Sequence, residues 1–342
     1  MGRSALHGAP APREGCVALI TVLCANAGVD KTYEVPNFAT GGYYHPASAR
    51  TMAGGKGINV ARALMALGQG LVLAGFAGGN NGRFISANLL EAGLKADLIG
   101  VAEESRVTIN IIDREQRTQT RIDEVGPLVT PTELRRLRET WSRSLRSSAM
   151  GIIAGSAPRG VNLEFYADLI EDAHEIKKPV ILDARDELLA RAIPAKPTVI
   201  SPNLNELQRL VRRQLSVPDG VVAAATDLIE QGVRMVLVTL GARGAIGMAA
   251  SGGAWWAKPP AIERISSVGS GDAFIAGFAA GSMERRPFEE RLRLAVACGA
   301  ANAESAGACE ITAERVAELL AQVTLDRLGG GGPQEESGEA SK

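Results

Sequence analysis

Ser266–Gly281 reads SSVGSGDAFIAGFAAG, and the rest of the chain is arranged to serve it. Gly269 and Gly271 stand just before an acid, Asp272, and behind the acid Ala273, Phe274, Ile275, Ala276, Gly277, Phe278 and Ala279 form an apolar run that reads as a buried helix. Glycines let a turn take positive φ and expose its amide hydrogens. A helix start adds further unpaired N–H groups and the positive end of the dipole. Gly269, Ser270 and Gly271 therefore read as an anion cradle of the phosphate-binding kind. A carboxylate inside such a cradle would repel its ligand. It makes sense if Asp272 takes a proton from an attacking hydroxyl while the cradle neutralises charge on a transferred phosphoryl group. The competing reading is that Asp272 caps a core helix.

Upstream, Ala53–Gly68 reads AGGKGINVARALMALG, a second glycine turn feeding an amphipathic helix. Together the two stretches resemble the paired signatures of the PfkB family of carbohydrate kinases, and the first of them resembles that family's G-A-G-D motif with Ser270 in the alanine position. The resemblance implies a ribokinase-like fold and Asp272 as the catalytic base. The upstream turn is not a Walker loop: Arg50 stands where the first glycine belongs, and Gly57 follows Lys56 where Ser or Thr would hold magnesium. Its helix is expected, from the helical spacing, to bury Ile58, Ala61, Leu64, Met65 and Leu67. Gly54 and Gly55 would let backbone approach a sugar closely, and Asn59 in the first turn supplies both a donor and an acceptor.

Composition narrows the partners. The 342 residues contain 37 Lys plus Arg against 38 Asp plus Glu, and 4% aromatics. No basic stripe and few stacking platforms argue against nucleic acid. No apolar run reaches the roughly 18 residues of a membrane span, and the first fifteen residues lack the apolar core of a signal peptide. A cytoplasmic location is the expectation. Cys16, Cys24, Cys298 and Cys309 show no C-x-x-C spacing, and His7, His45 and His174 are far apart, so a structural zinc site is not expected.

In chain order, 1–15 reads as a disordered arm and Val17–Leu23 as a buried parallel strand. After it comes N-A-G-V-D, ending in Asp30, where ligands of open α/β sheets bind. N-A-G-V-D-K-T-Y-E-V resembles the N-P-A-I-D-x-T-Y-x-V opening of the branch containing 1-phosphofructokinase and tagatose-6-phosphate kinase. That resemblance implies that Asp30 grips sugar hydroxyls; a plain turn residue is the alternative. Residues 31–50 and 105–123 contain short alternating stretches, including Arg106–Asp113 and Thr118–Ile122, that read as antiparallel strands of a small projecting sheet. The family implies a lid over the sugar and a homodimer through it, where the residues alone allow an ordinary edge hairpin. From Leu71 onward strands (Leu71–Gly75, Met150–Ile153, Val180–Leu182, Thr198–Ile200, Met235–Thr239) alternate with helices (Phe84–Glu91, Pro131–Leu145, Leu163–Ile176, Leu204–Val211, Val221–Gln231). Such alternation predicts an α/β fold, a mostly parallel sheet with helices on both faces, in a three-layer αβα arrangement. One domain over 16–328 with lid segments, and a disordered tail over 329–342, is the economical parse.

Two further motifs carry chemistry. Ser201–Leu207 (SPNLNEL) resembles the family's P-N-x-x-E motif, which implies that Asn203 and Glu206 organise Mg²⁺ through water; Asn with an acid three residues on is equally a capping box. Val238–Ile246 (VTLGARGAI) resembles the family's S-L-G-x-x-G-A nucleotide loop, so Thr239, Gly241 and Gly244 are candidates for the ATP phosphates. Trp255–Pro260 leads toward the final strand before the cradle. The small residues of Ala295–Ala308 read as tight helix packing.

The resemblance spans 17–325 with its motifs in family order. It implies an ATP- and Mg²⁺-dependent kinase acting on a phosphorylated ketose, fructose 1-phosphate first, with tagatose 6-phosphate and fructose 6-phosphate as alternatives. Lys56 and Arg106 are the candidate cations for the sugar phosphate. Arg106 lies in E-S-R-V-T-I-N, which resembles the branch's T-R-x-N-x-K, but Thr108 and Asn110 replace its Asn and Lys, and His45 lies where a lid arginine is common. A non-catalytic sugar-phosphate sensor would be expected to lack the base. A dinucleotide oxidoreductase would carry G-x-G-x-x-G after the first strand, where this chain has NAGVD.

Overall fold

Leu19–Cys24 (β1) is buried along nearly its whole length because it has helices on both sides. Ile20, Val22 and Cys24 point into one apolar core and Leu23 into the other, the period-2 alternation of a strand. The polar member of the run, Thr21, is fully buried and shares a 2.8 Å hydrogen bond with Ser148 Oγ. The computed structural model describes residues 18–328. The arm expected at 1–15 and the tail expected at 329–342 lie outside the described residues.

The remaining strands are β2 (Gly28–Glu34), β3 (Ser48–Gly54), β4 (Leu71–Gly78), β5 (Ala96–Val101), β6 (Arg106–Asp113), β7 (Thr118–Asp123), β8 (Ser148–Ala154), β9 (Val180–Asp183), β10 (Val199–Ile200), β11 (Met235–Thr239), β12 (Ala245–Ala249), β13 (Ala254–Lys258) and β14 (Thr324–Leu328). The helices are α1 (Lys56–Ala66), α2 (Gly79–Glu91), α3 (Pro131–Arg146), α4 (Phe165–Glu175), α5 (Asp186–Ala192), α6 (Leu204–Val211), α7 (Asp219–Glu230), α8 (Ser270–Met283), α9 (Phe288–Ala303) and α10 (Ala313–Leu320).

The main sheet runs β14-β13-β12-β11-β10-β9-β8-β1-β4-β5. From β11 to β5 every pair is parallel. The alternation from Leu71 onward therefore produces the expected sheet, with α1, α2, α8, α9 and α10 over one core and α3 to α7 over the other. At the far edge β12, β13 and β14 turn antiparallel. Sequence reading misses β12 and β14, and with them β5, α5 and α10: these are short segments with exposed or small residues, where periodicity has little to act on. Trp255 lies within β13 rather than ahead of a strand, and residues 259–267 are irregular up to the turn that opens α8.

α8 packs against α9 so closely that a side chain at Gly277 would come within 2.9 Å of Ala295 Cα and of Leu294 O. The small residues on α9 are packing residues, as their composition suggests. α3 begins as its sequence predicts: Thr130 and Glu133 close a reciprocal capping box and Pro131 occupies the first turn.

A second, smaller sheet runs β3-β2-β6-β7. Its two hairpins are antiparallel, but they join through a parallel pair in which Gly28 to Glu34 align with Arg106 to Ile112. That parallel join exceeds what alternation can show, because it pairs segments almost eighty residues apart.

Candidate active site

β1, β8 and β9 deliver their C-terminal ends to the same edge, and the first turns of α1 and α8 converge there. α8 starts at Gly269, whose φ of +86° is a left-handed conformation that suits glycine. A side chain at Gly269 would also crowd Ala308 and Asn302 at 3.0 to 3.1 Å. Gly271 has no such positive φ, and a Cβ there would meet nothing within 4 Å. Its role as a conformational glycine therefore fails. What it does is leave space beside the helix start. Ser270 N donates to Ser267 O at 3.3 Å and Ala273 N to Gly269 O at 2.8 Å, so the amides of Gly271 and Asp272 are the ones left open at the N-terminus.

Asp272 is 5% exposed. Its Oδ2 accepts a 2.8 Å hydrogen bond from Asn59 Nδ2 in the first turn of α1. The two glycine-turn helices, 213 residues apart in sequence, thus meet at the carboxylate. Burial pushes the Asp272 carboxyl up to about 6, while Lys56 and the Asn59 hydrogen bond pull it back and Asp183 adds to the rise. A simple exposed cap would not have this environment.

Lys56 is not an open cation. Its Nζ donates to both oxygens of Asp183 at 2.9 Å. Burial works against its charge, but Asp183, then Asp272 and Glu206, outweigh that and hold the ammonium above its ordinary range. Asp183 is 3% exposed at the end of β9. Sequence reading passes over it because a lone Asp after a strand looks like any turn residue; its signal appears only when β9 lies opposite α1.

Asp30 sits on β2 with its carboxylate in the space a side chain at Gly54 would fill. Gly54 is thus required by Asp30 rather than by an approaching sugar. Gly55, at φ +115°, lies over Cys24 and Asn26. Burial raises the Asp30 carboxyl, opposed by Arg106 and Arg121. Its Oδ1 and the Oδ1 of Asn26 are buried with no hydrogen-bond partner. Asn26, which composition does not single out, donates through Nδ2 to Val125 O and Ser156 Oγ at 3.2 and 3.1 Å.

Arg106 departs most from expectation. The guanidinium is buried rather than standing on an open surface strand. Nε donates to Asn26 O at 3.0 Å, and Nη1 to Thr108 Oγ1 at 2.8 Å and Asp123 Oδ1 at 3.2 Å. Thr108 is thus an anchor for the arginine. Asn110 accepts from Gln119 Nε2 at 2.6 Å, and His45 is exposed in the loop between β2 and β3.

Asn203 and Glu206 form a reciprocal capping box: Glu206 N donates to Asn203 Oδ1 and Asn203 N to Glu206 Oε2, each at 2.9 Å. The backbone of Asn203 bridges to Thr239. Among the described residues no group of three or more His, Cys, Asp or Glu is placed to hold a metal, so a direct protein cage does not fit. A magnesium ion held through water and nucleotide phosphates does fit, since Oε1 of Glu206 makes no protein hydrogen bond among the described residues. Gly241 and Gly244 both take positive φ. Gly244 N donates to Gly241 O at 3.0 Å, and a side chain at Gly244 would overlap Ala257 O. Its amide is used by the turn, whereas those of Gly241 and Ala242 make no hydrogen bond among the described residues.

Residues 29–315 match the pattern of the pfkB family carbohydrate kinases. The chain belongs to this family. It is an ATP-dependent sugar kinase. It is 30% identical over 312 residues to 1-phosphofructokinase of Bacillus subtilis (strain 168), covering 91% of this chain and all of the relative. It is 29% identical over 310 residues to tagatose-6-phosphate kinase of Staphylococcus epidermidis, covering 90% and 99%. Phosphofructokinase-2 of Escherichia coli, solved in complex with substrates and products, superimposes with a TM-score of 0.84 at 27% identity, over 90% of this chain and 99% of that one. No helix among the described residues of this PfkB kinase is long and apolar enough to cross a membrane.

Proposed function

We propose that this kinase transfers the γ-phosphoryl group of ATP to a hydroxyl of a phosphorylated ketose, with fructose 1-phosphate, converted to fructose 1,6-bisphosphate, as the first choice. The observation that carries the reading is the Asp272 carboxylate: buried at an open helix N-terminus, with one oxygen held by Asn59 and the other left for a hydroxyl proton. The Gly271 and Asp272 amides lie where a transferred phosphoryl group would gather charge. Buried acceptors with no protein donor, Asp30 Oδ1 and Asn26 Oδ1, suit the hydroxyls of a sugar. Arg106 supplies the cation nearest them, preorganised by Asn26 and Asp123 rather than free.

Thr239, Gly241 and the loop after β11 take the nucleotide phosphates, with the Gly241 and Ala242 amides open to them. Glu206 would hold Mg²⁺ through water. The ion's contribution when bound is to neutralise the charge of the nucleotide phosphates. Lys56, clamped by Asp183, brings positive charge to the same region. The second sheet is the lid, and the surface through which a homodimer forms, in a cytoplasmic enzyme.

The relatives favour two different sugars at nearly equal identity, which makes the substrate the property to measure. ADP release should be assayed over fructose 1-phosphate, tagatose 6-phosphate, fructose 6-phosphate and free hexoses. Fructose 1-phosphate is expected to give the highest kcat/KM, and free fructose a far lower one. Equal use of free hexose would sink the phosphosugar reading; a preference for tagatose 6-phosphate would move the assignment to that kinase.

A further inference from the structure

The fully buried amide of Asn302, near the end of α9, touches the catalytic turn from behind. Nδ2 donates to Val268 O at 2.8 Å and to Ser270 Oγ at 2.9 Å, so one NH₂ group bridges the two residues flanking Gly269. Oδ1 accepts from Cys309 N at 2.6 Å. Both ends of the amide are thus used, which fixes its orientation. Cys309 stands in the left-handed region, at φ +57°, and its Sγ lies 3.4 Å from Gly269 O. Next to it the Glu310 carboxylate forms an ion pair with Arg50 on β3 of the second sheet. One short loop therefore joins the sheet over the sugar to the turn that presents the cradle, and Asn302 is the side chain at which that loop meets the turn.

We propose that Asn302 is a positioning residue for phosphoryl transfer: it holds the Val268–Ser270 turn in the left-handed conformation that aims the Gly271 and Asp272 amides at the transferred group. The physical ground is the position of the bonds. Val268 O and Ser270 Oγ flank the residue with φ +86°; its carbonyl accepts the first α-helical hydrogen bond, from Ala273 N at 2.8 Å, but its own amide makes no hydrogen bond among the described residues, so the side of the turn facing Val268 is held from outside the helix. Without the amide, the turn keeps the Ala273 N to Gly269 O bond on its helix side, and on the other side the weaker Ser270 N to Ser267 O and Val268 N to Ser266 Oγ contacts at 3.3 and 3.2 Å and the thiol of Cys309. Amides misdirected by a few tenths of an ångström lose stabilisation of developing charge while ground-state binding is little changed.

The inference rests on the cradle reading of Gly269–Asp272, and Asn302→Asp tests it separately. Aspartate has the same shape and replaces the donor with an acceptor facing Val268 O. Asn302→Asp is expected to lower kcat at least tenfold at pH 8, with KM for sugar and for ATP each within threefold of the parent. Protonation of the new carboxyl restores a donor, so the deficit relative to the parent should narrow as pH falls toward 5, a response that loss of packing would not give. Asn302→Leu, which cannot donate at any pH, should show the deficit without the narrowing. An Asn302→Asp enzyme with kcat within twofold of the parent, or one whose KM values rise in step with the loss of kcat at every pH, overturns the proposal. If Asp272→Asn abolishes turnover while Asn302→Asp is silent, only the positioning role fails; if Asp272→Asn retains turnover, the cradle reading itself fails.

Discussion

Asp272 is held between opposing environments: burial favours its neutral form, and Lys56 and Asn59 favour its charge. A base must be ionised to work, so kcat/KM is expected to rise with pH through a limb near 6. Asp272→Asn should fold, bind ATP and lose kcat by about 10²–10⁴; near-normal turnover would return the residue to a helix-cap role. The same group links stability to pH. Its folded pKa lies above its unfolded 3.8, so the folded state binds the proton more tightly and the penalty for ionising it appears as pH rises from about 4 to about 6. A rise of that size corresponds to about 3 kcal/mol. Asp272→Asn should therefore raise Tm relative to the parent at pH 7.5 and not at pH 4; a Tm difference that ignores pH would contradict the buried-carboxylate account. Arg106 behaves differently because it is woven into the protein. Arg106→Ala should raise KM for the phosphosugar at least tenfold, about 1.4 kcal/mol, with ATP unaffected. It should also lower Tm, since Asn26 O loses its donor.

The first turn of α6 bears two roles that chemistry can separate. The capping box of Asn203 and Glu206 satisfies two helix amides, and losing such a cap costs roughly 0.5–2 kcal/mol. Glu206→Gln keeps an oxygen that can accept from Asn203 N, so Tm should change little. If Glu206 also gathers magnesium through water, the Mg²⁺ concentration for half-maximal activity should rise. A large fall in Tm with an unaltered magnesium response would leave only the cap. The motifs that the sequence makes visible, G-S-G-D, G-G-K-G and N-L-N-E, are all local turn-plus-helix units, in which glycine and polar residues occur at fixed short spacing. Asp183 and Asn302, which hold Lys56 and the Gly269 turn, are invisible in this way: each is a single polar residue in an unremarkable context, and its partner lies far along the chain, 127 residues away for Asp183 and 32 for Asn302.

The second sheet exposes every residue of β7, and Ile122 is 55% exposed there. A homodimer through this sheet is expected to dissociate in Ile122→Glu, seen as a halved mass in sedimentation, while far-UV circular dichroism stays unchanged; an unaltered mass would place any assembly on another surface. The parallel sheet, the helices on both faces and the order of the glycine turns are legible along the chain. Periodicity and turn chemistry are properties of neighbours in sequence, and each buried strand carries its apolar run with it. Pairing across the fold is not legible. Nothing local to Arg106 says that its guanidinium is spent on Asn26, Thr108 and Asp123. Nothing local to Lys56 reveals a carboxylate clamp, and nothing local to Gly54 or Gly244 says that the space beside it belongs to Asp30 or to β13. Those outcomes depend on which segments the sheet order brings within a few ångströms, and buried charges and close backbone contacts are settled at that distance by desolvation and sterics, not by the identity of the residues next along the chain.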